Sequence, residues 1–432
     1  VLQTDSHETL EMLNSGFALH FLIYAAVPAL LIFRVKIIQD HSLKGTITTL
    51  AVPAISLITV LALCLPSYQT MASVMRAHKE IRYLVTPSNI IYGLGKALSD
   101  SEEIAPTIAR LDATASLGET WLGTTGKPLL FVLIVGETAR AANFSLDDYA
   151  RNTNPNLASK DIIYYSEVTA CGTSTAISLP CMFSDDDRAH FSRKAAAKKE
   201  NLLDLIAQVG LDVSWLDNNS GCKGVCVRTP QLKLEYDSET CTSEHCFDLA
   251  MLQALAAPAD TNQFIVMHQQ GSHGPFYSKQ VPDNLAQFEP SCKTSQLQDC
   301  SREEIVNAYD NTILYTDLFI AQTIERLEQL SDKYTTAVIY ISDHGESLGE
   351  KGIYLHAAPY FMAPKEQLEV PMLTWLSEDF SQRFGIDKGC LKRAAGVPIS
   401  HDNLFSSVLG LLDITSRVYN PALDIFRHCK GR

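Results

Sequence analysis

No polybasic tract and no sustained low-complexity run interrupts this chain, and cations are the minority charge, 35 Lys and Arg against 49 Asp and Glu. A net charge of -14 speaks against nucleic acid as a partner, because backbone neutralisation needs clustered Lys and Arg. An initiator Met is also missing, and a chain that opens on Val1 reads as one whose start lies upstream. Cysteine is scarce in the first 170 residues, where Cys64 stands alone. The other ten fall later and mostly in close pairs: Cys171/Cys181, Cys222/Cys226, Cys241/Cys246 and Cys292/Cys300, with Cys390 and Cys429 left to pair with each other. A CxxC…CxxC repeat is absent, so disulfides in an oxidising compartment fit better than zinc knuckles.

What is present divides the chain in three. Phe17 to Val35 is a nineteen-residue apolar run broken by His20 and Arg34, and Ile47 to Pro66 is a second run without charge. Each is long enough to cross a bilayer, with a buried core helix as the alternative. Residues 1–70 therefore read as a transmembrane region. Residues 71–126 read as amphipathic helix and linker, with Ser67 to Leu84 either lying along a membrane surface or simply connecting domains. Loop charges are balanced on the two sides of the second run, so the positive-inside rule does not orient it. The cysteines do, and they put residues 127–432 outside the cytoplasm.

From Lys127 onward, β-rich apolar runs alternate with helical stretches, which predicts a mostly parallel sheet covered by helices on both faces. Four runs end in chemistry: Leu129–Val135 before Glu137, Leu211–Leu216 before Asp217 and Asn219, Phe264–Met267 before His268 and His273, and Thr336–Ile341 before Asp343 and His344. Ser301 and Glu304 form a capping-box pattern that opens a long helix. Carboxyl ends of parallel strands share one rim, so Glu137, Asp343 and His344 are expected together there. Two carboxylates and an imidazole suit zinc or manganese with one position left for a reacting oxygen. Taken singly, each residue also has a plain role as a cap or turn.

Between Cys171 and Cys181 lies a turn carrying Thr173, Ser174, Thr175 and Ser178, after an apolar stretch and before a helix. Hydroxyls at that place are either N-caps or groups held where backbone N–H donors favour a phosphate. The residue types alone do not choose among the four.

A family resemblance does. Gly136-Glu-Thr-Ala-Arg140, Cys171-Gly-Thr-Ser-Thr-Ala176 with Pro180-Cys-Met-Phe-Ser184, Ser272-His-Gly-Pro275 and Ser342-Asp-His-Gly-Glu-Ser-Leu-Gly349 resemble the bacterial phosphoethanolamine transferases that modify lipid A, members of the alkaline phosphatase/sulfatase superfamily. The resemblance implies an α/β fold with N-terminal transmembrane helices and a soluble sulfatase-like domain. It implies Thr175 as nucleophile and Glu137, Thr175, Asp343 and His344 as ligands of one Zn²⁺, with a second ion left open. It further implies that His273 and His356 meet the transferred phosphate or that second ion, that Lys223 and Asn219 meet the head group, and that Thr4 and Glu8 meet the lipid donor. Five spanning helices are expected of the family, so three of them belong upstream of Val1. The implied reaction moves phosphoethanolamine from phosphatidylethanolamine to a lipid A phosphate at the Gram-negative inner membrane, on its periplasmic side, and protects against polymyxins. Rival readings are a related transferase with a core heptose or glycan acceptor or a phosphatidylglycerol donor, and an inactive membrane-anchored binding protein. A sulfatase is disfavoured because its nucleophile is a modified Cys or Ser, where this chain has Thr175.

Overall fold

The structure, a computed structural model, describes residues 15–35, scattered helical residues between 51 and 94, and residues 108–431 apart from 123–125, 244, 257 and 258. Thr4, Glu8, Cys64 and the stretch Ser67 to Leu84 lie outside the described residues. The chain forms two compact units, Val1–Ile104 and Ala105–Arg432.

In the first unit, helical backbone runs from Ser15 to Arg34 as an α-helix (Ser15–Phe21), a π-helical stretch (Leu22–Ala26) and a second α-helix (Val27–Arg34). The stretch keeps right-handed helical angles at both of its ends, Phe21 and Val27. From Leu19 to Phe33 the large apolar side chains stay exposed, Phe33 at 88%. Among the described residues no single helix is long and apolar enough to cross a membrane. Most of the second apolar run lies outside the described residues, and residues 51–56 within it are helical.

The second unit is built on a seven-stranded sheet. Its strands in chain order are β1 (Leu129–Gly136), β2 (Ile163–Tyr165), β3 (Asp212–Asp217), β4 (Gln231–Leu232), β5 (Gln263–His268), β6 (Thr335–Ser342) and β7 (Met372–Leu376). Their order across the sheet is β2-β7-β6-β1-β5-β3-β4. β6, β1, β5, β3 and β4 pair in parallel, while β7 runs antiparallel to both of its neighbours.

Alternation along β1 explains why the sheet needs cover on both faces. Leu129, Phe131, Leu133 and Val135 enter one core, and Leu130, Val132 and Ile134 enter the other. The first core is closed by α1 (Thr175–Met182), α2 (Leu202–Gln208), α4 (Glu378–Phe384), α5 (Lys388–Ala394) and α6 (Asp402–Leu411). The second is closed by α3 (Arg302–Gln329), which lays Ile305, Tyr309, Ile313, Phe319 and Ile324 against the sheet. Ser301 and Glu304 make the expected capping box at its start.

Two features depart from the sequence reading. β7 was not among the four apolar runs, and it inserts between β2 and β6. The compact unit also begins before residue 127, inside the stretch read as linker. Residues 116–117 pair antiparallel with 414–415, Trp121 stacks edge-on against Phe384, and Asp112 accepts hydrogen bonds from Ser416 and Arg417. All five expected disulfides are formed, Cys171–Cys181, Cys222–Cys226, Cys241–Cys246, Cys292–Cys300 and Cys390–Cys429, so none of these ten thiols is left to bind zinc.

Candidate active site and metal centre

β1 and β6 are adjacent and parallel, and Gly136 pairs in register with Ser342. The next residues, Glu137 and Asp343, therefore leave the sheet side by side, with His344 immediately after. Ligand atoms of all three lie within 4.8 Å of one another, and all three residues are buried. His344 Nε2 is 3.4 Å from Glu137 Oε1 and 3.4 Å from Asp343 Oδ2.

The turn between Cys171 and Cys181 delivers one hydroxyl to this cluster. Thr175 is the first residue of α1, and its Oγ1 lies 3.1 Å from each Glu137 carboxylate oxygen and 3.4 Å from His344 Nε2. Thr173 instead donates to the Ala358 carbonyl and Ser178 to the Asp343 carbonyl. Ser174 occupies the N-cap position without a side-chain capping bond, so the cap reading of the turn does not hold.

Supporting contacts hold the carboxylates. Thr138 adopts a left-handed φ of 58°, uncommon and strained for a β-branched residue. In that conformation its N–H donates to Asp343 Oδ1 (3.1 Å) and its hydroxyl to Glu137 Oε1 (2.6 Å). The Tyr309 hydroxyl on α3 pins the Thr138 carbonyl (2.7 Å). Asn219 donates to Glu137 Oε2 (2.7 Å) and to the Gln269 carbonyl (2.9 Å). Gly271 passes so close that a Cβ there would sit 2.7 Å from the Glu137 carbonyl oxygen.

Electrostatics call for a cation. Burial would raise the Glu137 carboxyl, but the hydrogen bond and charge of His344, with His273 and His268 nearby, hold it well below its usual value. Burial and the Glu137 charge push Asp343 up. Burial would lower His344, yet Asp343 and Glu137 together draw its imidazole up to about 10. Asp343 Oδ2 is buried without a hydrogen-bond partner, a costly arrangement that a metal ion relieves. His344 Nδ1 donates to the Gly345 carbonyl (2.9 Å), which aims Nε2 at the carboxylates, where a zinc ion would take the place of its proton. The donor set fits a zinc ion.

Around this centre the other expected residues take different places. His356 packs against His344 (ring centroids 4.5 Å apart) and contacts Glu346 (3.2 Å), and His273 lies beyond it at 6.1 Å. Lys223 is half-buried and donates to Ser220. Asn219 is bound to Glu137 rather than open to a head group. Reasoning from the sequence assigned no role to Thr138, to His401 or to His268, whose buried ring bonds Asp217 (2.6 Å) and sits 3.9 Å from Glu137. For His268 a signal was available, since it ends β5 on the same rim.

Residues 130–414 match the sulfatase family, and residues 1–101 match the family described as phosphoethanolamine transferase EptA/EptB. The phosphoethanolamine transferase EptA of Salmonella typhimurium is 39% identical over 438 aligned residues, covering 100% of this chain and 80% of that protein. This chain belongs to the phosphoethanolamine transferases. Its sulfatase-like domain puts it in the alkaline phosphatase/sulfatase superfamily, and it is an enzyme. Among other family members, the Escherichia coli phosphatidylethanolamine transferase Mcr-1 is 37% identical over 96% of this chain and 78% of its own. The structure of an integral membrane lipooligosaccharide phosphoethanolamine transferase, EptA of Neisseria meningitidis, superposes with a TM-score of 0.90 at 38% identity, over 100% of this chain and 81% of that one. The β1 and β6 ends and the start of α1 bring one hydroxyl beside two carboxylates and an imidazole.

Proposed function

We propose that this transferase takes phosphoethanolamine from phosphatidylethanolamine, carries it as an ester on Thr175, and passes it to a phosphate of lipid A. The observation that carries the reading is the Thr175 hydroxyl, held 3.1 Å from both oxygens of Glu137 and 3.4 Å from His344 Nε2 at the mouth of the parallel strands. Glu137, Thr175, Asp343 and His344 would hold one Zn²⁺, with a second ion left open. Bound there, zinc lowers the pKa of a hydroxyl and draws charge from phosphoryl oxygens.

The chain's own residues do the rest. Glu137 accepts the Thr175 hydrogen bond and aims Oγ1 at phosphorus. As the Oγ1–P bond forms, the bond from phosphorus to diacylglycerol breaks and diacylglycerol leaves with a proton. A lipid A phosphate oxygen then attacks the same phosphorus, and Oγ1 regains its proton as its ester breaks. His273, His356 and Lys223 supply positive charge to the phosphoryl oxygens, since such transfers depend mainly on positioning and electrostatics.

Five disulfides support a periplasmic setting, and the exposed apolar side chains between Leu19 and Phe33 support attachment to the inner membrane. Added ethanolamine amines would lower the negative charge of the outer surface and weaken polymyxin binding. Cells producing the full-length protein should yield lipid A heavier by one phosphoethanolamine and should gain polymyxin resistance. Unmodified lipid A, or modification confined to core sugars, would refute the acceptor.

A further inference from the structure

One buried side chain ties the turn that carries Thr175 to the end of the strand that leads into Asp343 and His344. His401 stands at the start of α6, after residues 399–400 pair in parallel with 168–169, and its backbone N–H donates to the Thr169 carbonyl (3.0 Å). Its ring is 99% enclosed, at 1% exposure, and reaches three segments. The Cys171 N–H donates to Nδ1 (3.1 Å). Nε2 lies 3.0 Å from the Ser342 carbonyl. Ser178 Oγ approaches Nδ1 at 3.2 Å while giving its proton to the Asp343 carbonyl.

The tautomer follows from the partners. A backbone N–H can only donate and a carbonyl can only accept, so Nδ1 is the acceptor and Nε2 carries the hydrogen. Ser342 is itself a junction. Its Oγ accepts from the Ala139 N–H (2.9 Å) and donates to the His344 carbonyl (3.1 Å). Cys171 opens the turn that ends in Thr175, and Ser178 lies one helical turn beyond Thr175 on α1. An apolar residue in place of His401 would leave the Cys171 N–H and the Ser342 carbonyl without these bonds in a dry interior.

We propose that His401 is a positioning residue of the transfer reaction, fixing how far the Thr175 oxygen stands from Asp343 and His344 and so the rate at which that oxygen attacks phosphorus. This rests on Thr175 being the nucleophile. Reacting atoms tolerate little error, and a displacement of about 1 Å can cost about 100-fold in rate. The ring's hydrogen bonds go to the backbone of Cys171 and Ser342 and to the Ser178 hydroxyl, none of them a proposed metal ligand, so its effect belongs in the chemical step.

The test compares wild type with His401→Phe, which fills a similar space without the bonds, and His401→Gln, whose amide can reach Ser342. Full-length protein, zinc-loaded in detergent, receives phosphatidylethanolamine without acceptor. Intact-protein and peptide mass spectrometry follow the modification of Thr175 against time, alongside zinc content, thermal midpoint and KM. The expected result is a 10- to 100-fold slower modification in His401→Phe per zinc-loaded molecule. KM and zinc content should hold within about twofold, and His401→Gln should recover part of the rate. If His401→Phe does not fold, His401→Gln and His401→Asn decide, and both should be slower than wild type with normal zinc content. Wild-type rates in zinc-loaded variants, a loss carried wholly by KM, or a Gln variant no faster than Phe would overturn the proposal. Wild-type protein that leaves Thr175 unmodified would sink the nucleophile and this proposal together, whereas a modified Thr175 at undiminished rate in the variants sinks this one alone.

Discussion

Asn219 offers a choice between two roles that one substitution separates. If it meets the ethanolamine head group, as the family resemblance implies, Asn219→Ala should raise KM and leave the metal alone. The structure instead has its amide bridging Glu137 Oε2 at 2.7 Å and the Gln269 carbonyl at 2.9 Å, so that it holds a ligand carboxylate against the end of β5. Groups that orient a metal ligand typically contribute 10- to 100-fold to metal affinity, or about 1.4 to 2.7 kcal/mol. The loss should fall in this range and not beyond, because Thr138 still clamps the other Glu137 oxygen at 2.6 Å. Asn219→Asp should do worse, since it sets a second carboxylate against the first. Zinc affinity is read by competition with a chromogenic chelator, and kcat and KM by diacylglycerol release at saturating zinc. Unchanged zinc affinity with a tenfold higher KM would refute this reasoning and return Asn219 to the head group.

Three further outcomes follow from named contacts. The His344 imidazole, drawn up to about 10 by Asp343 and Glu137, is charged at pH 7 in the metal-free protein, so zinc binding should release about one proton. Because this pKa is raised, the imidazolium stabilises the metal-free fold fully below about pH 6.5 and the contribution is lost as pH rises to about 10, while apparent zinc affinity rises across the same window. Calorimetry in buffers of different ionisation enthalpy counts the proton, and a count of zero contradicts the assignment. Phe131→Ala, which removes a fully buried ring stacked on Phe264 at 5.0 Å, should cost about 3 to 5 kcal/mol in denaturant unfolding of residues 105–432. Replacing Cys171 and Cys181 by Ser should cost about 3 kcal/mol or less, since the bridge closes a separation of only 10 residues, yet should slow Thr175 modification by loosening the turn. A rate unchanged in folded protein would count against that role.

The site was legible where chemistry follows directly from a strand. β1 and β6 are unbroken apolar runs with a carboxylate just past each end, and parallel pairing alone brings Glu137 and Asp343 together. The helix cap at Ser301 and the spacing of the cysteines were likewise local patterns. What stayed hidden depends on partners far apart in the chain. Residues 116–117 look like linker because their strand partners lie at 414–415. β7 follows Pro371 and is only five residues long, which blunts its strand signal. Thr138 looks like an ordinary residue until its positive φ turns it between two carboxylates. His401 has no motif, and its neighbours Cys171 and Ser342 stand 230 and 59 residues away.

The central claim is that the Thr175 oxygen carries the transferred group, and peptide mapping after donor-only turnover tests it most directly. Zinc-loaded full-length protein given phosphatidylethanolamine without acceptor should gain one phosphoethanolamine, placed by fragmentation on Thr175, and should release it when lipid A is added. Thr175→Ala should fold, gain nothing and release no diacylglycerol, and Thr175→Ser should keep part of the activity. An adduct on Thr173, Ser174 or Ser178, or normal turnover by Thr175→Ala, would contradict the account at its first step.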